Sequence, residues 1–157
     1  MLLACFLTLG TPALAADPSP TVPTAAAPSA SQWLVDYDAL RLALVSDDDG
    51  TAATAARVLA TAASGDPDLV AAADRVAVAM GTTAKRAAFS DLSRLAVLRA
   101  SAPGAPRVLV YHCPMYAGFA YWIQPKAGIA NPYMGKAMPE CGEEVSMKAA
   151  AKAAAAG

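Results

Sequence analysis

Two cysteine–methionine pairs are the residues of this chain best suited to chemistry. Cys113 stands two positions before Met115, and Met138 stands three positions before Cys141, with a proline inside each pair. Thiolate and thioether sulfur atoms are soft donors that favour Cu(I) over harder divalent ions. The prolines limit backbone freedom and lower the entropy lost when ligands converge. The sequence therefore predicts a site for Cu(I), or for Ag(I), formed by these four side chains.

The same two cysteines allow a second interpretation, a structural disulfide. They do not form the closely spaced C-x-x-C motif of a redox pair. A bridge between Cys113 and Cys141 would close a loop of roughly thirty residues and contribute ~3 kcal/mol in the chain-entropy model. The neighbouring methionines favour the metal, since a disulfide gains nothing from them. The disulfide stays the alternative, and the two states are compatible under different redox conditions.

Three further side chains are secondary candidates for this site. His112 is the only histidine, so it cannot build a site with several imidazoles for Cu(II) or Zn(II). Trp122 either covers the metal through a cation–π contact or packs against the helices. Met134 either binds the metal or packs. A single histidine and the lack of a nucleophile–base pair or paired-carboxylate pocket predict a protein that is not an enzyme.

The elements that must position this site are four helical segments and a short strand. Apolar residues recur at helical spacing in four segments, at about residues 31–46, 51–64, 67–80 and 83–102. Their short connections predict an all-α fold, an antiparallel four-helix bundle. A short strand at 107–111 and an irregular Cys/Met-containing segment, residues 109–144, follow the bundle. We call residues 109–144 the cassette.

Local signals predict where these helices begin and end. Asp47, Asp48 and Asp49 lack the rest of a calcium-loop pattern, so they are interpreted as a helix end and the next N-cap. Asp66 before Pro67 predicts a second N-cap. Gly81 is expected to close the third helix. Met80 lies on that helix's apolar stripe and is expected in the core.

The two ends of the chain differ from the helical domain at 32–146. Residues 1–16 are predicted to be an export signal, with a small-x-small cleavage site, and 17–31 a flexible Pro/Ala linker. A lipoprotein box ending at Cys5 is the minor alternative. Residues 147–157 are an alanine-rich tail, either frayed helix or disordered. These features predict a periplasmic protein without a membrane span once the signal is removed.

Length and charge narrow the functional classes. The chain has 157 residues and a formal net charge of −1. This length is sufficient for one domain with a single core. A charge so close to zero argues against nucleic acid as a partner.

A series of residues in the cassette follows the pattern C-P-M…W…I-x-N-P-Y-x-G-x-x-M-x-x-C-G-E. The residues that carry it are Cys113, Pro114, Met115, Trp122, Ile129, Asn131, Pro132, Tyr133, Gly135, Met138, Cys141, Gly142 and Glu143. The pattern resembles a domain family of formally unknown function. That family occurs at the C-terminus of periplasmic adaptors of copper/silver efflux pumps and as small free-standing exported proteins. The resemblance extends over residues 32–146.

The resemblance implies a helical bundle associated with copper handling. It assigns the ligand role to Cys113, Met115, Met138 and Cys141, and it implies an efflux-pump adaptor or another periplasmic copper protein as partner. Met134 departs from the family, which usually has an aromatic there. The sequence thus predicts an exported Cu(I)-binding protein for copper sequestration, tolerance or delivery. The alternative is a disulfide-stapled periplasmic interaction module that docks on an efflux or envelope partner.

Overall fold

A computed structural model describes residues 31–157, which form a mostly helical domain with a small sheet. The described helices are α1 (Gln32–Val45), α2 (Asp49–Ala62), α3 (Pro67–Val78), α4 (Gly81–Ala100) and α5 (Met147–Ala156). The strands are β1 (Leu109–His112), β2 (Tyr121–Gln124) and β3 (Glu143–Val145), and a short 3-10 turn covers Gly135–Ala137. The predicted signal at 1–16, Cys5 and all of the linker but its last residue lie outside the described residues. No helix within 31–157 combines the length and apolar character needed to cross a bilayer.

The predicted N-caps are confirmed. The side chain of Asp48 accepts a hydrogen bond from the backbone N–H of Thr51 at 2.9 Å, and α2 begins at the next residue. The side chain of Asp66 caps α3 in the same way, with Pro67 in the first turn. Each cap satisfies a backbone donor that has no partner inside its helix.

The core lies between successive helices, which pack against one another along the chain. Its large fully buried side chains from these helices are Tyr37, Leu40, Leu44, Leu59, Leu69, Val76, Phe89, Leu92 and Val97. Contacts also join α1 to α4. The Tyr37 hydroxyl lies 2.6 Å from the Ser93 hydroxyl, and the Tyr37 ring stacks on Phe89. Burial raises the pKa of Tyr37, so its hydroxyl stays protonated and available for this hydrogen bond.

The domain is mostly helical, as expected, but it has a three-stranded sheet where the sequence predicted a single strand. Its strand order is β2-β1-β3, and β1 pairs antiparallel with both neighbours. The sheet rests on α4, where the hydroxyls of Ser90 and Ser93 donate hydrogen bonds to the carbonyls of Phe119 and Tyr121. β2 and β3 are four and three residues long, and such short segments acquire strand structure from a partner distant in sequence.

The junction between α3 and α4 also differs from the expectation. Gly81 is the first residue of α4, while α3 ends at Val78 because Ala79 and Met80 adopt extended backbone angles. That turn carries the Met80 side chain out of the helical stripe and leaves it 89% exposed. The prediction that Met80 belongs to the core is therefore wrong.

The alanine-rich tail forms an ordered helix. The Ser146 side chain caps α5 by accepting a hydrogen bond from the backbone N–H of Ala149. Ala150 and Ala154, one turn apart, are buried, and α5 packs against α4 and β1. Small alanine side chains allow this close approach. As a result, α5 covers part of the surface that supports the sheet.

Candidate metal centre

The structure brings the two cysteines of the cassette together. Their Sγ atoms lie 4.0 Å apart although 28 positions separate them in the chain, and both are free thiols. Cys113 directly follows β1, and its N–H donates to the carbonyl of Ala120 at 2.9 Å. Cys141 stands two residues before Glu143, which pairs with His112 of β1. The β1–β3 pairing thus places Cys141 beside the end of β1.

Asn131 holds the segment that carries Cys141. Its side-chain N–H donates to the carbonyl of Cys141 at 2.6 Å, and its backbone N–H donates to the carbonyl of Pro139 at 2.8 Å. Its side-chain oxygen accepts from the backbone N–H groups of Tyr133 and Met134. Asn131 is fully buried, so these bonds replace water for every polar group of its side chain.

Gly142 allows the backbone next to Cys141 to approach β1 closely. A Cβ atom at this position would lie 2.9 Å from the Cη2 atom of Trp122 and 3.1 Å from the carbonyl oxygen of His112. The residue also has a φ of 148°, which side chains disfavour. Gly142 therefore allows a close approach of this backbone to the sheet.

Two arginines fix the cassette to the helices. Arg86 donates to the carbonyl of Pro132 at 2.8 Å and to that of Leu44 at 3.0 Å, and it pairs with Asp47. The Arg86 hydrogen bond, with a second one from the Lys136 backbone, holds the pKa of Asp47 below its ordinary value.

Arg41 makes the second attachment. It is buried, pairs with Asp38 at 2.8 Å and donates to the carbonyl of Ala130 at 2.7 Å. The residue before Asn131 is therefore bound to α1. The turn that positions Cys141 is consequently built on the helical core.

Aromatic side chains pack beside this turn. Tyr133 is buried, stacks on Tyr116 with ring centres 4.5 Å apart, and donates its hydroxyl to the carbonyl of Tyr121 at 2.7 Å. Burial raises the pKa of Tyr133 well above its ordinary value. Trp122 stacks on Tyr111 and donates to the side chain of Gln124. Trp122 is fully buried and belongs to the core.

The methionines of the predicted ligand set lie at the surface. Met115 is 65% exposed and Met138 is 39% exposed, whereas Met134 is partly buried against the core. The carbonyl of Met138 accepts a hydrogen bond from the backbone N–H of Cys141 at 3.2 Å, so one tight turn joins the two residues. The structure therefore gathers the two thiols and leaves both thioethers in contact with solvent.

His112 takes part in a different surface. Its Nδ1 atom lies 3.5 Å from Glu143 Oε1, and its ring lies against Tyr121, its partner on β2. Successive side chains along an extended segment point to opposite faces, so His112 and the buried Cys113 face different ways. His112 is the last residue of β1, and its described contacts are with Glu143 and Tyr121.

The sulfur separation fits two thiolates on one ion. Metal–thiolate bonds of about 2.3 Å place two sulfur atoms about 3.8 to 4.6 Å apart for bond angles from tetrahedral to linear. A disulfide bond of about 2.05 Å would need the two atoms to approach by about 2 Å. Within the described chain, no three side chains of His, Cys, Asp or Glu gather as a metal site.

The local environment favours the thiol form of Cys141. Burial raises its pKa, and the hydrogen bond with Cys113 and the repulsion by a Cys113 thiolate raise it further. A metal ion that binds Cys141 must therefore displace its proton. Its positive charge would replace the mutual repulsion with attraction.

Sequence reasoning did not assign a role to the side chains that set this geometry, above all Asn131 and Arg86. Asn131 belongs to the series that carries the resemblance, and an asparagine that bonds the backbone two residues later is typical of turns such as Asn-Pro-Tyr. For Arg86 the signal was absent, because its acceptors are carbonyls distant in sequence. Comparisons of the chain with protein-family models, curated proteins and solved structures found no match. The resemblance to the copper-efflux adaptor extension stays a prediction.

Proposed function

We propose that this protein is a Cu(I)-binding protein that holds the ion between the thiolates of Cys113 and Cys141. The observation that carries the proposal is the 4.0 Å separation of their Sγ atoms. Thiolates select soft monovalent ions, so Ag(I) is the expected competitor. The ion would lie beside the end of β1 and the start of β3, with the buried Cys113 on its inner side and the partly exposed Cys141 on its outer side.

Met115 and Met138 complete the proposed ligand set from the solvent side. Each belongs to the same short turn as one of the cysteines, and each thioether is exposed. Methionine has three rotatable bonds, so both side chains have the freedom to turn toward an ion at the sulfur pair. Thioethers that join and leave in this way suit a protein that takes up and passes on copper.

The helices form the scaffold of the proposed site. We infer that α1–α4 make an antiparallel four-helix bundle, because their connections are two to four residues long and α1 contacts α4 as well as α2. This bundle holds the cassette through Arg41 and Arg86. The proposed role is binding without catalysis.

The proposed setting is the periplasm, in copper sequestration, tolerance or delivery. The export-signal pattern of residues 1–16 and the resemblance of the cassette to the efflux-adaptor extension support it. The proposed partners are an efflux-pump adaptor or another periplasmic copper protein. A second thiolate protein is suited to this exchange, because it would meet the ion at its exposed side.

Anaerobic Cu(I) titration against a competing chelator tests the proposal. The protein carries Cys5→Ser throughout, so that Cys113 and Cys141 are its only thiols. We expect one Cu(I) per chain, and a loss of competitive binding in Cys113→Ser and in Cys141→Ser. Met115→Leu and Met138→Leu should weaken binding without abolishing it. Full binding after both cysteines are replaced would overturn the assignment.

A second candidate function uses the same pair as a staple. The cysteines are close enough for a small shift of the cassette to join them, which favours a disulfide-stabilised module that docks on an envelope partner. Thiol counting and metal analysis on protein taken directly from the cell envelope separate the two functions. Two free thiols with copper support the metal site, whereas a complete lack of free thiols and metal supports the staple.

A further inference from the structure

The two cysteines differ in their access to solvent. Cys113 is fully buried, whereas Cys141 is partly exposed on an irregular segment between the 3-10 turn and β3. The reaction of a thiol with an external reagent depends on access to its sulfur atom. An external disulfide can therefore reach Cys141 and not Cys113.

The backbone is held at both cysteines. Cys113 is fixed by its hydrogen bond to Ala120, which continues the β1–β2 pairing. Cys141 lies outside regular structure, but its carbonyl accepts a hydrogen bond from the buried side chain of Asn131 and its N–H bonds to Met138. The difference between the two sulfur atoms therefore lies in their access to solvent.

We propose that this pair is a thiol–disulfide exchange site for low-molecular-weight disulfides, at which Cys141 reacts first and Cys113 resolves the product. In the first step, the Cys141 thiolate attacks one sulfur of the small disulfide, forms a mixed disulfide and releases one small thiolate. In the second step, the Cys113 thiolate attacks Cys141 Sγ, breaks the mixed disulfide and releases the other small thiolate. The protons of the two cysteines end on the two small thiols, and the small disulfide takes up two electrons.

This activity goes beyond metal binding and needs no metal. The disulfide product has no thiolate to offer, so oxidation and Cu(I) binding exclude each other at this pair. A small thiol in excess reverses both steps and restores the dithiol. The same two sulfur atoms would then respond to the thiol–disulfide balance of their surroundings.

Exposure of metal-free, reduced protein to glutathione disulfide tests the proposal, again in the Cys5→Ser background. Intact-mass measurement of Cys113→Ser should show one glutathione adduct, formed at least about tenfold faster than the adduct of Cys141→Ser. The protein with both cysteines should lose two thiols and end without an adduct. Equal adduct rates in the two variants would overturn the order of reaction.

A measurement on the protein with both cysteines covers the case in which a serine variant does not fold. Acid-quenched samples at short times, digested and mapped, should carry glutathione on the Cys141 peptide and later a Cys113–Cys141 cross-link. Glutathione on the Cys113 peptide first, or a stable adduct that never closes, would contradict the proposal. Because no copper is present, failure here leaves the metal site standing, and failure of Cu(I) binding leaves the exchange standing.

Discussion

The side-chain amide of Asn131 donates a hydrogen bond to the carbonyl oxygen of Cys141 at 2.6 Å. Asn131 is also bonded through its backbone to Pro139, so one buried residue holds both ends of the turn before Gly142. The distance between the two cysteine sulfur atoms therefore depends on a residue that offers no sulfur itself. A substitution at Asn131 should accordingly change both the stability of the cassette and the reactivity of the two thiols.

Replacement of Asn131 by alanine should lower the free energy of unfolding by about 2–4 kcal/mol, because several buried backbone groups lose their partners. Urea denaturation measures the change. Thr54→Ala is the matched control: its exposed hydroxyl bonds only to the Gly50 carbonyl within α2, and its loss should matter little. A change below about 1 kcal/mol in Asn131→Ala would show that the turn does not depend on this side chain.

Gly142→Ala should be destabilising by about 2–3 kcal/mol, because the added Cβ meets Trp122 and the His112 carbonyl in a dense region. It should also slow the formation of the Cys113–Cys141 disulfide by moving the two segments apart. Gly65→Ala is the control, since a Cβ there has no atom within 4 Å. Equal thermal stability of the two variants would contradict the close approach at Gly142.

Arg86→Ala should separate the cassette from the helices, because Arg86 bonds to carbonyls of both Pro132 and Leu44. We expect a loss of about 2–3 kcal/mol in denaturant unfolding, mainly from part-buried acceptors left without partners. Arg57→Ala, at an exposed helical arginine, is the control and should change stability by about 0.5 kcal/mol or less. Amide exchange should rise around residues 130–137 in Arg86→Ala alone. Equal amide exchange around residues 130–137 in the two variants would show that Arg86 does not hold the cassette to the helices.

The alkylation of Cys141 should require a higher pH than that of an unperturbed thiol. The thiolate is the reactive form, and burial together with Cys113 raises the pKa of Cys141. The rate of iodoacetamide reaction against pH, in the Cys5→Ser background, gives the midpoint. Glutathione under the same conditions is the reference. In Cys113→Ser the midpoint should fall, because the hydrogen bond and charge of Cys113 are gone while burial stays. A midpoint at or below that of glutathione would contradict the raised pKa of Cys141.

Local features of the fold could be predicted from the sequence, and non-local ones could not. Asp48 and Asp66 cap their helices because capping needs only the next three residues. The prediction for Met80 failed because α3 ends before Ala79. The spacing of apolar residues continues past this point and does not show the helix end. β3 has only three residues, and the composition of such a short segment does not predict its pairing with β1.

The candidate site shows the same division. Residue types marked Cys113 and Cys141 as chemically important, and the β1–β3 pairing then brought them together. The exposure of Met115 and Met138 could not be read from their spacing, since both lie in turns whose path is set by partners elsewhere in the chain. Asn131 and Arg86 donate hydrogen bonds to backbone carbonyls, which every residue type provides. The residue types along the sequence therefore do not reveal which carbonyls accept these bonds.

X-ray absorption at the copper edge observes the ligand atoms themselves, on Cys5→Ser protein loaded anaerobically with one equivalent of Cu(I). We expect a first shell made of sulfur alone, at about 2.3 Å, the distance typical of thiolate ligands. That shell should be lost when Cys113 and Cys141 are both replaced by serine. A first shell of nitrogen or oxygen atoms in the protein that retains both cysteines would contradict the proposed Cu(I) site.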